Sequence, residues 1–428
     1  MSDDAQDRHV RGLGLRCGAR LPSGRRPGSL GPLGSVEGLI QQLIDETPRR
    51  VGDPLHATLI GWGSAPQGVD LLLHPAEEPL QLRVEGEWLI AAAKTSGAGP
   101  GYHAFVVDLL DRIAEETGLV WVFDDEEQGF EDDTRYAVDR DQEALEWAVA
   151  TWWISLARRL VTSGGTNFSL SLPLGLEVVG DHFAISPLGE WSRSWFERAA
   201  TLDPATDPEL AADWGRSYFP WWDRERNARF WLHAGLALIW LEVSWQPPQD
   251  PEDERVVSAA LACLDRAREL DLEISLPEAE IAELAGLREG SIESPHPTGL
   301  GFRRRTLRKP LGGGWSVDIP GYFNEALERE GTTIHFHDPT RSVRLSTFTF
   351  DGALPERPPE QDWVHDDGIR WGTAALERIE PPEGDPHWLL QGEMRTSSGL
   401  AVVSIGFRDE DAQEWALETW RSLSAAEE

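Results

Sequence analysis

The chain contains two cysteines, two methionines, four tyrosines and, among 39 basic residues, only two lysines, Lys94 and Lys309. Cys17 and Cys263 cannot build a disulfide framework, which fits a reducing cytoplasm. With lysine nearly absent, almost every positive charge is an arginine, the coding bias of a GC-rich bacterial genome. Catalytic signatures are missing too. There is no Gly-x-Ser-x-Gly elbow, no His-Glu-x-x-His and no Cys-x-x-Cys, and neither lysine sits in a Gly-Lys-Ser/Thr loop. The expected inventory is therefore empty: no catalytic residue, no cofactor and no resident metal. Basic residues are outnumbered by 74 acidic ones, for a net charge of -35. A field of that sign repels DNA, RNA and anionic lipid and favours a protein partner, preferably a basic one.

Long apolar runs are also scarce. The nearest is 228–245, Ala-Arg-Phe-Trp-Leu-His-Ala-Gly-Leu-Ala-Leu-Ile-Trp-Leu-Glu-Val-Ser-Trp. A membrane span needs about 20 mostly apolar residues, and Arg229, His233 and Glu242 fall inside this window. On a helical wheel Leu236 and Trp240 interrupt the polar stripe, so no face is free of large apolar groups. A helix apolar all round must be buried on most sides, so 228–245 is expected to be a core helix. Eleven of the 20 tryptophans lie in 147–245, which places the large core there.

At roughly 150 residues per domain, 428 residues suggest two to three domains. Residues 1–35, rich in Gly, Pro and Arg, read as a disordered arm or a mis-assigned start. Its arginines at 8, 11, 16, 20, 25 and 26 flank no apolar stretch, so it is not read as a secretory signal. Residues 36–186 read as an α/β domain: a helix at Val36–Glu46, then strands at Ala57–Trp62, Gly68–His74, Leu80–Val84 and Glu87–Ala93. The turn 97–103 opens a helix closed by Gly118, a strand follows at Leu119–Phe123, and Asp141 caps a helix to Leu160. Leu176–Val179 and His182–Ile185 read as a hairpin across Gly180-Asp181. Residues 187–287 read as a helical segment packed on that domain. In it Asp250-Pro251 starts one helix, Leu276–Leu287 supplies another, and the pair resembles a single tetratricopeptide-type hairpin. Residues 288–312 read as a linker and 313–425 as a small domain of two hairpins and a closing helix. Phe348 and Phe350 have the opposite parity to Val343 and Leu345, so a bulge near Ser346-Thr347 is expected to keep all four inward.

Gly314-Trp-Ser-Val-Asp-Ile-Pro-Gly321, the meander after it and the final Trp-containing helix resemble the PsbP-type α/β/α sandwich over residues 313–425. That resemblance implies a small binding domain with no catalytic set to carry over. The rest of the chain resembles no nameable family.

Four local patterns carry potential chemistry. Gly97-Ala-Gly-Pro-Gly-Tyr-His103 follows a strand and opens a helix, as an anion site would, but Tyr102 stands where a dinucleotide loop needs glycine. It is expected to be a connecting turn. Asp124-Asp-Glu-Glu-Gln-Gly-Phe-Glu-Asp-Asp133 has glycine at the sixth position of a Ca²⁺ loop, but Arg135 replaces the closing glutamate. A solvated charge run is expected. His335 and His337 project from one face of a strand and could hold zinc if His365, Asp366 or Asp367 supplied further ligands. Phe302-Arg-Arg-Arg-Thr-Leu-Arg-Lys309 is the dense basic cluster outside the N-terminal arm. It is expected to dock on acidic groups of this chain or a partner, as an edge strand, rather than on nucleic acid.

The expected fold is α+β, comprising the N-terminal α/β domain, the Trp-rich helical middle and the C-terminal antiparallel sandwich. The expected function is that of a non-catalytic cytoplasmic protein-binding protein, as adaptor, chaperone or inhibitor. The alternative is a metal-dependent enzyme using His335 and His337.

Overall fold

The computed structural model describes residues 12–21, 61–65, 68–163, 167–170, 172–173, 175–290, 299–328, 333–350, 363–381 and 385–425. The predicted helix at 36–46, most of the predicted arm and residues 57–60 lie outside them. The fold is α+β, in two compact units that divide the chain in an interleaved way. The first comprises Met1–Ser171, Asp181–Ser294 and Gly299–Gly301; the second comprises Leu172–Gly180, Pro295–Thr298 and Phe302–Glu428.

The first unit is built on an antiparallel sheet of β1 (Gly14–Arg20), β2 (Gly61–Ala65), β3 (Gly68–Leu72), β4 (Leu80–Glu85), β5 (Trp88–Lys94), β6 (Trp121–Val122) and β7 (Glu131–Asp132). Their order is β2-β3-β4-β5-β1-β6, with β7 also on β1. The position of β1 corrects the reading of 1–35 as a disordered arm. Leu15, Cys17 and Ala19 alternate into the core opposite Ala93, Ala91 and Leu89 of β5. Their period-two pattern is hidden among arginines and glycines that face the other way.

Helix α1 (Pro100–Thr117) ends, as predicted, at Gly118, whose φ of 71° is left-handed and whose N–H returns to Ala114 O. After a short α2 (Tyr136–Asp139), α3 (Gln142–Thr162) starts where Asp141 accepts from Ala144 N. β8 (Phe168–Ser169), β10 (Ala184–Ser186) and β11 (Gly189–Trp191) form a small sheet, ordered β11-β10-β8. Helices α4 (Arg193–Ala200), α5 (Pro208–Tyr218), α6 (Ala228–Leu241), α7 (Pro251–Leu270) and α8 (Glu278–Arg288) complete the unit among the described residues. Asp250 caps α7 by accepting from Glu252 N and Asp253 N.

Helix α6 is the expected core helix, ending four residues earlier than the apolar run. Ten of its residues are buried, Phe230 to Trp231 and His233 to Trp240. Gly235 lets it approach α7, since a Cβ there would meet the Leu264 side chain at 3.0 Å. The rings that the tryptophan count pointed to cluster in this unit. Trp222 and Phe230 have centroids 4.7 Å apart, and Trp153 sits 6.2 Å from Phe219. No helix among the described residues is long and apolar enough to cross a membrane.

The predicted hairpin across Gly180-Asp181 does not form. β9 (Glu177–Val178) instead pairs with β12 (Thr306–Pro310) in the second unit, while β10 stays in the first. Gly180-Asp181 does break the chain, but it separates two units rather than two paired strands. The strand β12 also shortens the predicted 288–312 linker, and it is central in its sheet, not an edge. With β13 (Trp315–Pro320) and β21 (Ser424–Ala425), the order there is β21-β13-β12-β9.

The larger sheet of the second unit holds β14 (Asn324–Leu327), β15 (Thr333–His337), β16 (Arg341–Thr349), β17 (Trp363–Asp366), β18 (Trp371–Ile379), β19 (His387–Arg395) and β20 (Gly399–Phe407). It is ordered β14-β15-β16-β20-β19-β18-β17 and closes against α9 (Gln413–Arg421). Val343, Leu345, Val403, Ile405, Leu390, Met394 and Trp420 belong to one buried core. Gly392 is needed where the Trp420 indole crosses β19, since a Cβ there would stand 2.8 Å from the ring. The predicted bulge is absent: β16 pairs with β20 without interruption from Arg341↔Phe407 to Thr349↔Gly399. Regular pairing therefore outweighs burial of two phenylalanines, and Phe348 and Phe350 stay on the outer face.

The central role of α6 yields a stability prediction. Trp240, 2% exposed and donating from Nε1 to Leu170 O at 3.3 Å, fills space that an alanine would leave empty. Trp240→Ala is expected to cost about 3–5 kcal/mol, read as a lowered denaturant midpoint. A loss below about 1 kcal/mol would mean that the site collapses freely and is not a packed core.

Candidate functional site

The predicted metal pair is the first test. His335 and His337 do project together, with ring centroids 4.7 Å apart, while Phe336 between them is buried. Their proposed co-ligands lie elsewhere. His365 and Asp366 are on β17 and Asp367 just beyond it, at the far edge of the sheet from β15. Five strand spacings of about 4.8 Å separate β15 from β17, roughly 24 Å. His365 and Asp367 are engaged with Arg370, whose guanidinium reaches Arg421 O and Leu423 O at the end of α9. Among the described residues no three His, Cys, Asp or Glu side chains are grouped as a metal would need.

Two residues of the basic cluster, Arg308 and Lys309, are turned to this chain's own acids, as expected. Arg308 makes a paired contact with Asp318 at 2.9 and 3.0 Å and lies 3.8 Å from Glu177. Lys309 donates to Glu325 at 2.8 Å.

The turn before α1 has its donors occupied by protein. Glu77 Oε1 accepts from Ala98 N at 2.7 Å, Gly101 N donates to Trp222 O at 2.9 Å, and Trp222 N donates to Ala98 O at 2.8 Å. Gly101 is required because a Cβ would overlap the Asp223 carbonyl. An anion entering here would have to displace Glu77. Burial pushes the Glu77 carboxyl up to about 8, against the pull of the Ala98 and Gly97 N–H groups. Burial likewise drives His74 and His233 down to about 3. Their Nδ1 atoms accept from Ala76 N and Trp221 N, at 3.1 and 2.8 Å. Both are neutral structural acceptors.

The acidic loop 124–133 does more than meet solvent. Asp125 accepts from Glu127 N and Gln128 N to form the turn, and Phe130 is laid over Gly18, where any Cβ would clash with its ring. Beyond it, alternation along β7 sends Asp132 inward and Glu131 and Asp133 outward. Inside, His103 Nε2 lies 3.2 Å from Asp132 Oδ1 and 3.1 Å from Thr134 Oγ1, while Nδ1 meets Thr95 Oγ1 at 2.8 Å. Burial would raise the Asp132 carboxyl. The bonds from His103 and from Ala137 N and Thr134 N outweigh it and hold the group at about 2. All four side chains are buried and mutually satisfied, so this Asp–His–Thr set braces the fold rather than serving a substrate. Burial also pushes the Cys17 thiol well up, which leaves it protonated and unreactive.

On the outer side of the same strand ends is an open trough of about 470 Å³. Its floor is Gly12, Gly14 and Ala92, and charged groups rise around it: Arg16, Glu78, Lys94, Glu131 and Asp133. Gly14 N donates to Asp133 Oδ2 at 2.9 Å, and Lys94 Nζ lies 2.5 Å from Glu78 Oε1. Burial raises the Asp133 carboxyl. Sequence reading missed this site. The available signal was the Glu131-Asp132-Asp133-Thr134 alternation, which reads as a strand with one polar face in each direction.

The second surface is the outer face of the larger sheet. Ser346, Val402, Glu393, Thr373 and Val364 form one row across it, and Phe348, Leu400, Arg395 and Trp371 the next. Phe348 is 45% exposed, Val402 40% and Val364 56%, whereas Thr373 and Arg395 within the same rows are buried. The charges inside this patch neutralise each other: Arg395 holds Glu393 through bonds of 3.0 and 2.9 Å and stacks on Trp371 at 4.7 Å.

No protein-family model matches the chain, and no curated protein matches it. A solved structure from Bacteroides thetaiotaomicron VPI-5482 is 19% identical over 28% of this chain and 47% of that one, with a TM-score of 0.24. The match thus spans under half of that protein's length and carries no argument about function.

The raised Glu77 gives a pH prediction with a definite sign. Between about 4.5 and 8 the unfolded chain releases this proton while the folded one keeps it, so its contribution to stability declines as pH rises through that window. Glu77→Gln retains an acceptor for Ala98 N but has no proton to lose. The unfolding free energy of the native protein, minus that of the variant, is expected to fall between about pH 5 and pH 8.5. A difference that stays constant, or rises, would show that Glu77 ionises normally.

Proposed function

We propose that this is a non-catalytic, cytoplasmic protein-binding protein, acting as adaptor, chaperone or inhibitor, and that the outer face of its larger sheet takes the partner. The observation that carries this reading is the uninterrupted β16–β20 pairing, which leaves Phe348 on the surface beside Val402. Exposed apolar patches on soluble proteins mark contact surfaces. The seven strands, four to nine residues long, at about 4.8 Å spacing and about 3.4 Å per residue, span on the order of 800 Å². That equals the roughly 800 Å² per partner of a standard interface. The net charge of -35 supports a basic partner, since complementary fields raise association rates and suppress wrong partners. The resemblance of 313–425 to PsbP-type binding modules points the same way. The alternative, a metal enzyme at His335 and His337, loses support with its co-ligands on the far edge.

Affinity capture from the native host, quantified by mass spectrometry, is the test. A basic protein is expected at near-equal amounts with the full chain, weakening as salt is raised. Phe348→Ser with Val402→Ser should reduce its recovery at least about tenfold, since loss of two apolar contacts of about 1.4 kcal/mol or more in total suffices. Recovery of the chain alone at every salt concentration, or undiminished recovery with the double variant, would refute the assignment.

A further inference from the structure

His335 and His337 lose their expected co-ligands to the far edge of the sheet, but the pair keeps a chemistry that needs none of them. Both rings rise from the outer face of β15, since Phe336 between them is buried. Two imidazoles that share one metal ion, each through a nitrogen at about 2.0–2.1 Å, have ring centroids roughly 4.5–5.2 Å apart for ligand angles of about 90–110°. The rings of His335 and His337 are 4.7 Å apart, with planes inclined by 31°, a spacing inside that interval. Stacking for its own sake gives similar distances. It does not account for His335 Nε2, which is buried and has no hydrogen-bond partner among the described residues. A buried nitrogen left in that state costs free energy and calls for a water or an ion.

Across the ladders the pair faces Ala326 and Asn324 of β14 and Arg344 and Ser342 of β16. Arg344, directly opposite His335, is a cation and resists the approach of a second one. Glu328 accepts from Arg344 Nε at 3.1 Å, so the two side chains together add no net charge beside the rings. At longer range the excess of acid, a net charge of -35, draws cations to the surface. We propose that His335 and His337 chelate one Zn²⁺ ion, with its remaining coordination positions open to solvent on the outer sheet face. Imidazole suits Zn²⁺ and Cu²⁺, whereas Mg²⁺ and Ca²⁺ take oxygen ligands. Two protein nitrogens are too few for a closed structural centre, so the ion exchanges and the fold does not need it. This site differs from a metal enzyme's in requiring no third protein ligand and no substrate, and it fills whether or not a partner is docked on the same face.

The experiment uses the full chain, free of any histidine tag and stripped of metal with a chelator. Titration calorimetry with Zn²⁺ is expected to show one ion per chain with a Kd of about 10 μM or tighter, unchanged by about a hundredfold excess of Mg²⁺. His335→Ala and His337→Ala, with folding checked by their melting temperatures, should each weaken binding at least about tenfold. Cu²⁺ gives a second measurement that needs no variant. At one equivalent, its electron paramagnetic resonance on the native chain should carry the couplings of two imidazole nitrogens. The proposal is overturned if Zn²⁺ does not bind saturably, or if Mg²⁺ displaces it, as a site made of carboxylates would allow. It is equally overturned if the folded variants bind undiminished, or if Cu²⁺ on the native chain shows fewer than two nitrogens.

Discussion

Helix α6 has apolar groups around its whole circumference, and the need to keep all of them from water constrains the first unit on every side. Burial of Phe230, Trp231, Leu238, Ile239 and Trp240 is worth roughly 1.5–3 kcal/mol for each large side chain. That cover has to come from other elements, since a helix cannot shield its own perimeter. Glycines at 101, 215 and 235 let the backbone or the indoles approach closely enough to provide it. The same demand explains why the two buried histidines near α6 are neutral: His74 and His233 are held well below the ordinary histidine range by burial and act through single backbone bonds.

Much of the local structure was legible in the sequence because its causes are local. Gly118 as a left-handed terminator and Asp141 and Asp250 as caps all act within a few residues, and each is where the pattern placed it, while the core helix expected over 228–245 ends at Leu241. What escaped was long-range pairing. β1 finds its partner β5 some 70 residues later, so an arginine-rich stretch with alternating Leu15, Cys17 and Ala19 looks unstructured until β5 covers it. The bulge expected near Ser346 follows from the rule that phenylalanine belongs inside. An uninterrupted ladder overrides that rule. The two histidines of β15 do share one strand face, yet strand order, which no local spacing encodes, sends His365 to the opposite edge. The trough was invisible for a related reason: its walls come from β4, β5 and β7, and only the alternation in Glu131–Thr134 hints at it.

Charge in this acidic chain is spent in two distinct ways. Arginines mostly hold specific carboxylates of the same chain, as Arg308 does Asp318 and Arg341 does Asp338. Buried carboxylates are satisfied by backbone N–H groups or by His103, which is how Asp132 remains charged inside the fold. The large remaining excess of negative charge is distributed over the surface, where it acts at a distance as a field rather than through contacts. Surface apolar residues stand out against that background, and so does a recess where both signs meet.

The interleaving of the two units has a consequence for how the protein is made. Val178 pairs with Leu307, about 130 residues further along the chain. During synthesis β9 emerges long before the strand that will hold it, and the helices of the first unit are translated in between. The second unit is therefore not a module that can be cut out at one junction. A fragment starting at residue 313 would lack both β9 and β12, half the strands of its smaller sheet, and would expose the edge of β13 to neighbouring molecules.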